Sequence, residues 1–241
     1  MMKKLGLYVI VGLSLSACAG GMTNGTSVGN ANQYNKVVTQ FPIEAAMLNI
    51  YAKERSQKLV AVIDNRNVSA EIKVTPKGNM VFNNKQVQGA EVNTITKLDN
   101  QVIDQSVSIN YFTPEPLVFH GFTDSSGEYS LATQTTTIPK MAKVGDSSSL
   151  ITETVYSDSS KRKKIGVYSQ VWSLTRDSNN TAWFCINSSE NTLLDFDSEG
   201  TTEECYKINA KGDILDSKLT IKAPTNNGAD MGTETIKFTS R

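Results

Sequence analysis

What this chain lacks narrows it first. It has a single histidine and three cysteines in 241 residues. One histidine excludes every metal or catalytic motif that needs two, including the paired-histidine zinc helix. Neither sign of charge is in excess: lysine and arginine number 24, aspartate and glutamate also 24. Without a basic excess there is no electrostatic footprint for nucleic acid. No apolar run reaches the roughly 20 residues that a membrane-crossing helix needs. What is present is long enough to bury a core, as one large all-β domain or two smaller ones.

The N-terminus reads as an address that precedes the fold. Lys3 and Lys4 form a short positive region, and Leu5 to Leu15 is an apolar run broken by Gly6, Gly12 and Ser14. Leu15-Ser16-Ala17-Cys18 follows. This segment resembles the lipobox of bacterial lipoproteins: an apolar residue three before the cysteine, small residues just before it, then the cysteine itself. The resemblance covers residues 1–18. It implies a signal peptide over residues 1–17 cleaved between Ala17 and Cys18, a diacylglyceryl thioether on Cys18, and acylation of the new amino group. Three acyl chains exceed the two signals that stable membrane anchoring takes. An aspartate after the cysteine favours inner-membrane retention in such lipoproteins, so Ala19 implies the outer membrane of a Gram-negative bacterium, with the leaflet open. Cleavage removes Lys3 and Lys4, and the mature chain is then slightly acidic.

Residues 18–38 are expected to be a flexible tether, rich in Gly, Asn, Ser and Thr and without apolar periodicity. One helix follows. Pro42 suits its first position. Ile43, Ala46, Met47, Ile50 and Tyr51 recur at helical spacing, and the helix is expected to end near Gln57. From Leu59 onward short runs rich in Val, Ile, Thr, Tyr and Phe alternate with turn signals such as Asp64-Asn65-Arg66-Asn67 and Pro76-Lys77-Gly78-Asn79. Runs include Leu59–Asp64, Val68–Thr75, Asn79–Phe82 and Ile165–Thr175. The fold class is therefore mainly β: an antiparallel β-sandwich or partly open β-barrel with one N-terminal helix, over residues 39–241. Residues 139–149 are the best place for a break between two halves.

Cys185 and Cys205 form an even pair in a chain bound for an oxidising compartment, which predicts a disulfide. Gly145-Asp146-Ser147 resembles the opening of the Gly-Asp-Ser esterases. Those need a downstream Asp-x-x-His pair, whereas the only histidine, His120, lies upstream. His120 itself, in an apolar run, is expected to be a hydrogen-bonded structural residue. Asp195, Asp197 and Glu199, with Gly200 after them, resemble the start of an EF-hand calcium loop. The twelfth position is Tyr206 instead of a bidentate glutamate, so a solvated acidic loop is preferred, with Glu203 and Glu204 as substitute ligands in the alternative. Lys161, Arg162, Lys163 and Lys164 read as a basic hairpin tip, either a solvated turn that discourages edge pairing or a contact for anionic lipid, lipopolysaccharide or an acidic partner.

No pattern calls for a cofactor. Three functions compete. The first is a non-enzymatic binding, adhesion or envelope-structural lipoprotein. The second is a periplasmic carrier of an apolar ligand; such carriers are half-barrels lidded by helices, which this chain resembles only vaguely. The third is an enzyme, against which the single histidine and the absent metal-ligand pattern weigh. The first is the expectation: membrane contact through lipid, an unknown protein, glycan or lipid ligand, and no nucleic acid.

Overall fold

The computed structural model describes residues 37–189, 200–227 and 230–240. Its only helix among these is α1 (Ile43–Ala52), preceded by the two-residue strand β1 (Gln40–Phe41). Ile43, Ala46, Met47 and Ile50 lie on one face at 3.6-residue spacing, and all four are completely buried. Pro42 stands just outside the helix with extended backbone, not in its first position. The helix also ends before the expected Gln57, because Arg55 already belongs to the next strand.

Twelve antiparallel strands close into a barrel. They are β2 (Arg55–Ile63), β3 (Arg66–Phe82), β4 (Lys85–Leu98), β5 (Gln101–Pro114), β6 (Leu117–Asp124) and β7 (Tyr129–Thr133). The second set is β9 (Ser147–Tyr156), β10 (Lys164–Arg176), β11 (Thr181–Ser188), β12 (Thr201–Asn209), β13 (Ile214–Asn227) and β14 (Asp230–Ser240). Between the sets lies β8 (Ala142–Lys143), which pairs with β1 in a separate small sheet. The expected β-rich fold with one N-terminal helix holds, and the barrel is closed. Its last strand returns to its first through Thr239–Val60 and Ser240–Leu59. The strands flanking residues 139–149, β7 and β9, are direct neighbours in the barrel wall.

Closure forces a period-two choice on each strand, in versus out. In β2 the buried residues are Arg55, Gln57, Leu59 and Ala61. Partners across the wall follow the same parity: Ile72 and Val74 in β3, Phe184 and Ala182 in β11, Tyr206 and Ile208 in β12, Leu219 in β13. These side chains and the buried face of α1 form one core. The helix thus plugs one end of the barrel. Its Asn49 amide donates to the Gly212 carbonyl (3.0 Å) and its Glu44 amide to the Pro139 carbonyl (3.2 Å). Gly212, in the β12–β13 turn, has φ +81°, and a side chain there would meet Pro42 and the Ala46 amide at 3.1–3.2 Å. Glycine lets the turn close over the helix start.

The expected turn at Pro76-Lys77-Gly78-Asn79 is instead a bulge inside β3, where the register with β4 shifts between Pro76 and Gly78. A bulge accommodates the missing proline donor and bends the hairpin. The real turn is Asn83-Asn84, both at positive φ, which asparagine tolerates. Beyond the bulge the hairpin packs on an aromatic patch. Phe82 stacks on Tyr111 (4.1 Å) and Tyr129 (5.0 Å), and Met80 lies over Gly89.

Between these features the outer wall is charged. Lys58 and Lys97 both pair with Glu71, and Lys77 with Glu91. Lys207 pairs with Asp177 in the β10–β11 turn. Such a surface differs from the apolar band of a membrane-spanning barrel. No helix among the described residues is long and apolar enough to cross a membrane.

Candidate functional site

The sequence-predicted residues do not converge. Cys18, Asp195, Asp197 and Glu199 lie outside the described residues. Cys185 and Cys205 do form the expected disulfide, directly opposite each other on β11 and β12, with Cα atoms 4.0 Å apart. Glu203 sits beside it, and its carboxylate and the two sulfurs fall close enough to suggest a metal set. The disulfide removes both thiolates from that set, so it has no thiolate ligand to offer. Glu203 and Glu204 are adjacent on a strand and face opposite sides of the wall, so they do not form one carboxylate pair.

His120 sits at an irregularity in the β5–β6 ladder, where its Nε2 and Thr113 Oγ1 share a hydrogen bond (2.7 Å). Desolvation, then the charge of Lys85, holds its pKa below the ordinary value. Gly145-Asp146 is the turn that leads into β9, whose first residue is Ser147: Asp146 Oδ2 accepts from the Lys143 amide, and the Asp146 carbonyl from the Leu174 amide. The basic run spans the β9–β10 turn and the first residue of β10, Lys164. Lys161 is fastened there, donating to Asn83 Oδ1 (3.1 Å) and lying 5.7 Å above the Tyr129 ring. The two hairpin tips, from β3–β4 and β9–β10, therefore meet on the outer wall. Arg162, Lys163 and Lys164 remain exposed.

The densest chemistry lies inside the barrel, where periodicity alone did not point. Arg55 and Gln57 project inward from β2, Asn110 from β5, Ser130 from β7, Glu153 from β9, and Glu204 and Tyr206 from β12. Tyr51, at the end of α1, sits among them. It packs edge-on against Phe119 (5.5 Å) and interacts electrostatically with Glu204, Glu153 and Arg55. Tyr206 donates its hydroxyl to Glu204 Oε2 (2.9 Å), and Ser130 donates to Glu153 Oε1 (3.1 Å). The Arg55 guanidinium lies 5.9 Å from the Tyr206 ring centre. Gly121 supports this arrangement: at φ +131° it lets the Ser130 carbonyl approach to where a side chain would stand, and the Ser130 hydroxyl also accepts from the Phe122 amide (2.9 Å).

Burial governs the charges here. It pushes the Glu153 carboxyl up to about 7, against the opposing hydrogen bond from Ser130. It pushes Glu204, which keeps some solvent contact, up to about 8, against Tyr206 and Arg55. It draws Arg55 down to about 10, still cationic at neutral pH. Both tyrosine hydroxyls are driven upward, first by burial. A cavity of about 20 Å³ is lined by Tyr51, Asn110, Glu153 and Gln170 on its polar side. That is room for about one water molecule.

The raised Glu153 gives a signed pH dependence. Its proton is held up to about 7 in the folded state but only to about 4.5 when unfolded. Its contribution is complete below pH 4.5 and is lost as pH climbs through 7. Wild-type stability should decline between pH 5 and pH 8, and Glu153→Gln should flatten the decline, leaving only the share due to Glu204. Urea midpoints at both pH values measure this. An unchanged slope in Glu153→Gln would remove Glu153 as the cause.

The chain matches no protein-family model, no curated protein and no solved structure.

Proposed function

We propose that this chain is an outer-membrane-anchored lipoprotein whose barrel is a non-enzymatic binding, adhesion or envelope-structural module. One observation carries the choice over a carrier of apolar ligands: the apolar part of the barrel interior is filled by the chain's own helix and by Phe41 of β1 just before it. Phe41, Ile43, Met47 and Ile50 are completely buried among Ile72, Leu174, Phe184 and Ile208. A carrier site for a lipid tail is ordinarily an apolar chamber of about 300 Å³ or more. Binding is then left to the outside of the wall and its hairpin tips. Of these, the exposed Arg162, Lys163 and Lys164 beside the Phe82–Tyr111–Tyr129 stack combine charge with a rigid base.

The anchor rests on Leu15-Ser16-Ala17-Cys18. Cys18→Ser should move the protein from the membrane fraction to the soluble fraction and abolish incorporation of labelled palmitate. Membrane retention of Cys18→Ser would overturn the anchor. Added protease on intact cells then separates two forms of the module. Cleavage places it at the surface, for adhesion; protection places it in the periplasm, for envelope assembly.

A further inference from the structure

Two hairpin tips, far apart in sequence, are fastened together on the outer wall and carry charge of nearly one sign. Residues 83–85 close β3 onto β4, and residues 157–164 lead from β9 into β10. Together they hold five cations, Lys85, Lys161, Arg162, Lys163 and Lys164, against one acid, Asp158. All five cations are exposed, and none forms an ion pair among the described residues. Elsewhere on the wall Lys58, Lys77, Lys97 and Lys207 meet carboxylates.

The tips are held in place. Asp158 spends its carboxylate on its own turn: Oδ1 accepts from the Ser160 amide (2.7 Å) and Oδ2 from the Ser157 hydroxyl (3.2 Å). The Lys163 carbonyl accepts from the Ser157 amide (2.9 Å). Lys161 ties this turn to Asn83 and to the face of Tyr129. Phe82, next to Asn83, stacks on Tyr111 and Tyr129. Cations on so fixed a base lose less freedom on binding than those of a loose tail. Beside them, Val81 alternates with the inward Phe82 and is 64% exposed.

We propose that these two tips form one docking surface for a lipid bilayer that bears anionic phosphate headgroups. The proposal rests on the reading that binding falls to the outside of the wall, and it names the partner. Projecting tips present charge to a surface instead of enclosing a small anion. Headgroup phosphates repeat across a plane, so several cations engage at once, each strengthening attachment about fivefold. An exposed aliphatic side chain among the cations adds contact that a lipid interface supplies and a soluble polyanion does not. The chain outside the barrel permits this placement. Lys164 and Arg176, the two ends of β10, are about 40 Å apart, and Arg176 donates to the Val38 carbonyl (3.0 Å). From Cys18 to Val37 an extended chain reaches up to about 65 Å, so the tips and a lipid on Cys18 can meet one membrane.

Co-sedimentation with vesicles tests this, using the full chain carrying Cys18→Ser so that no anchor contributes. Vesicles of phosphatidylcholine alone are compared with vesicles that also contain phosphatidylglycerol, at low and high sodium chloride. Binding to the anionic vesicles, absent from the neutral ones and weakened by salt, is expected. Arg162→Gln, Lys163→Gln and Lys164→Gln together should weaken it about a hundredfold. Their unfolding midpoint should stay at that of wild type, because the positions are exposed. Val81→Ser should weaken vesicle binding further. Immobilised heparin and polyglutamate are run in parallel. Retention on either without binding to anionic vesicles overturns the lipid surface and leaves the outer-wall binding module standing. Binding to none of them overturns the proposal and removes the tips from that module. The proposal fails equally if the folded triple variant binds anionic vesicles as wild type does.

Discussion

Ile50→Ala should lower the stability of the barrel by about 2–5 kcal/mol, the range for emptying a fully buried aliphatic position. Ile50 is completely buried, on the last full turn of α1, within the core that also holds Met47, Leu59, Ile72 and Ile208. Helices as short as Ile43–Ala52 are marginal alone in water, so α1 owes its persistence to this burial. The converse also holds: a wide barrel without its plug would expose the inner faces of β2, β3, β11 and β12 to water. Ile50→Asp, which would bury a charge with no partner, should leave no cooperative unfolding transition. Ala45, on the exposed side of the same helix, supplies the control, since Ala45→Glu should stay within about 0.5 kcal/mol of wild type. Urea denaturation of the three variants measures the ordering. Ile50→Ala with wild-type stability would mean that the helix is not a structural plug.

Removal of the disulfide ranks second. Cys185→Ala combined with Cys205→Ala should cost about 3 kcal/mol, the chain-entropy value for a closed loop of about 20 residues. The bridge ties β11 to β12 in the middle of their ladder, which runs from Thr181–Asn209 to Ser188–Thr202. It also clamps the strand that carries Glu204 and Tyr206, so the double variant should release the interior cluster before the rest of the wall. Hydrogen exchange at the Phe184 and Tyr206 amides would rise first. Iodoacetamide should label neither Cys185 nor Cys205 without reductant, whereas labelling of both in the native protein would refute the bridge. The loss of stability on reduction of wild type should match that of the double variant.

Local pattern in the chain carried the class of fold and the disulfide. Repeated short β-rich runs, one helical period starting at Ile43, and a cysteine pair are all readable without coordinates. Such signals depend on neighbours along the chain, and tertiary structure had little to override. Two local errors show the limit. Pro76-Lys77-Gly78-Asn79 has turn composition, yet cross-strand pairing with Gly89 and Gln88 continues through it as a bulge. Asn83-Asn84, with weaker composition, is the turn because the pairing of Phe82 with Lys85 places it there.

Which face of each strand points inward is a different matter. Alternation in Arg55-Ser56-Gln57-Lys58 divides the residues into two sets of equal polarity, and nothing local says which set is buried. Pairing of β2 with β14 on one side and β3 on the other decides it, by closing the wall so that Arg55 and Gln57 face the interior. The same closure turns Glu153 and Glu204 inward, where burial, not sequence, raises their pKa values. By itself the sequence determined a β-rich chain with one amphipathic helix and one bridge, because periodicity and cysteine pairing are local or nearly so. Only the tertiary structure decided that the helix fills a closed barrel and that a cationic fork with two carboxyls shares its interior, because inside and outside exist only once the first and last strands have met.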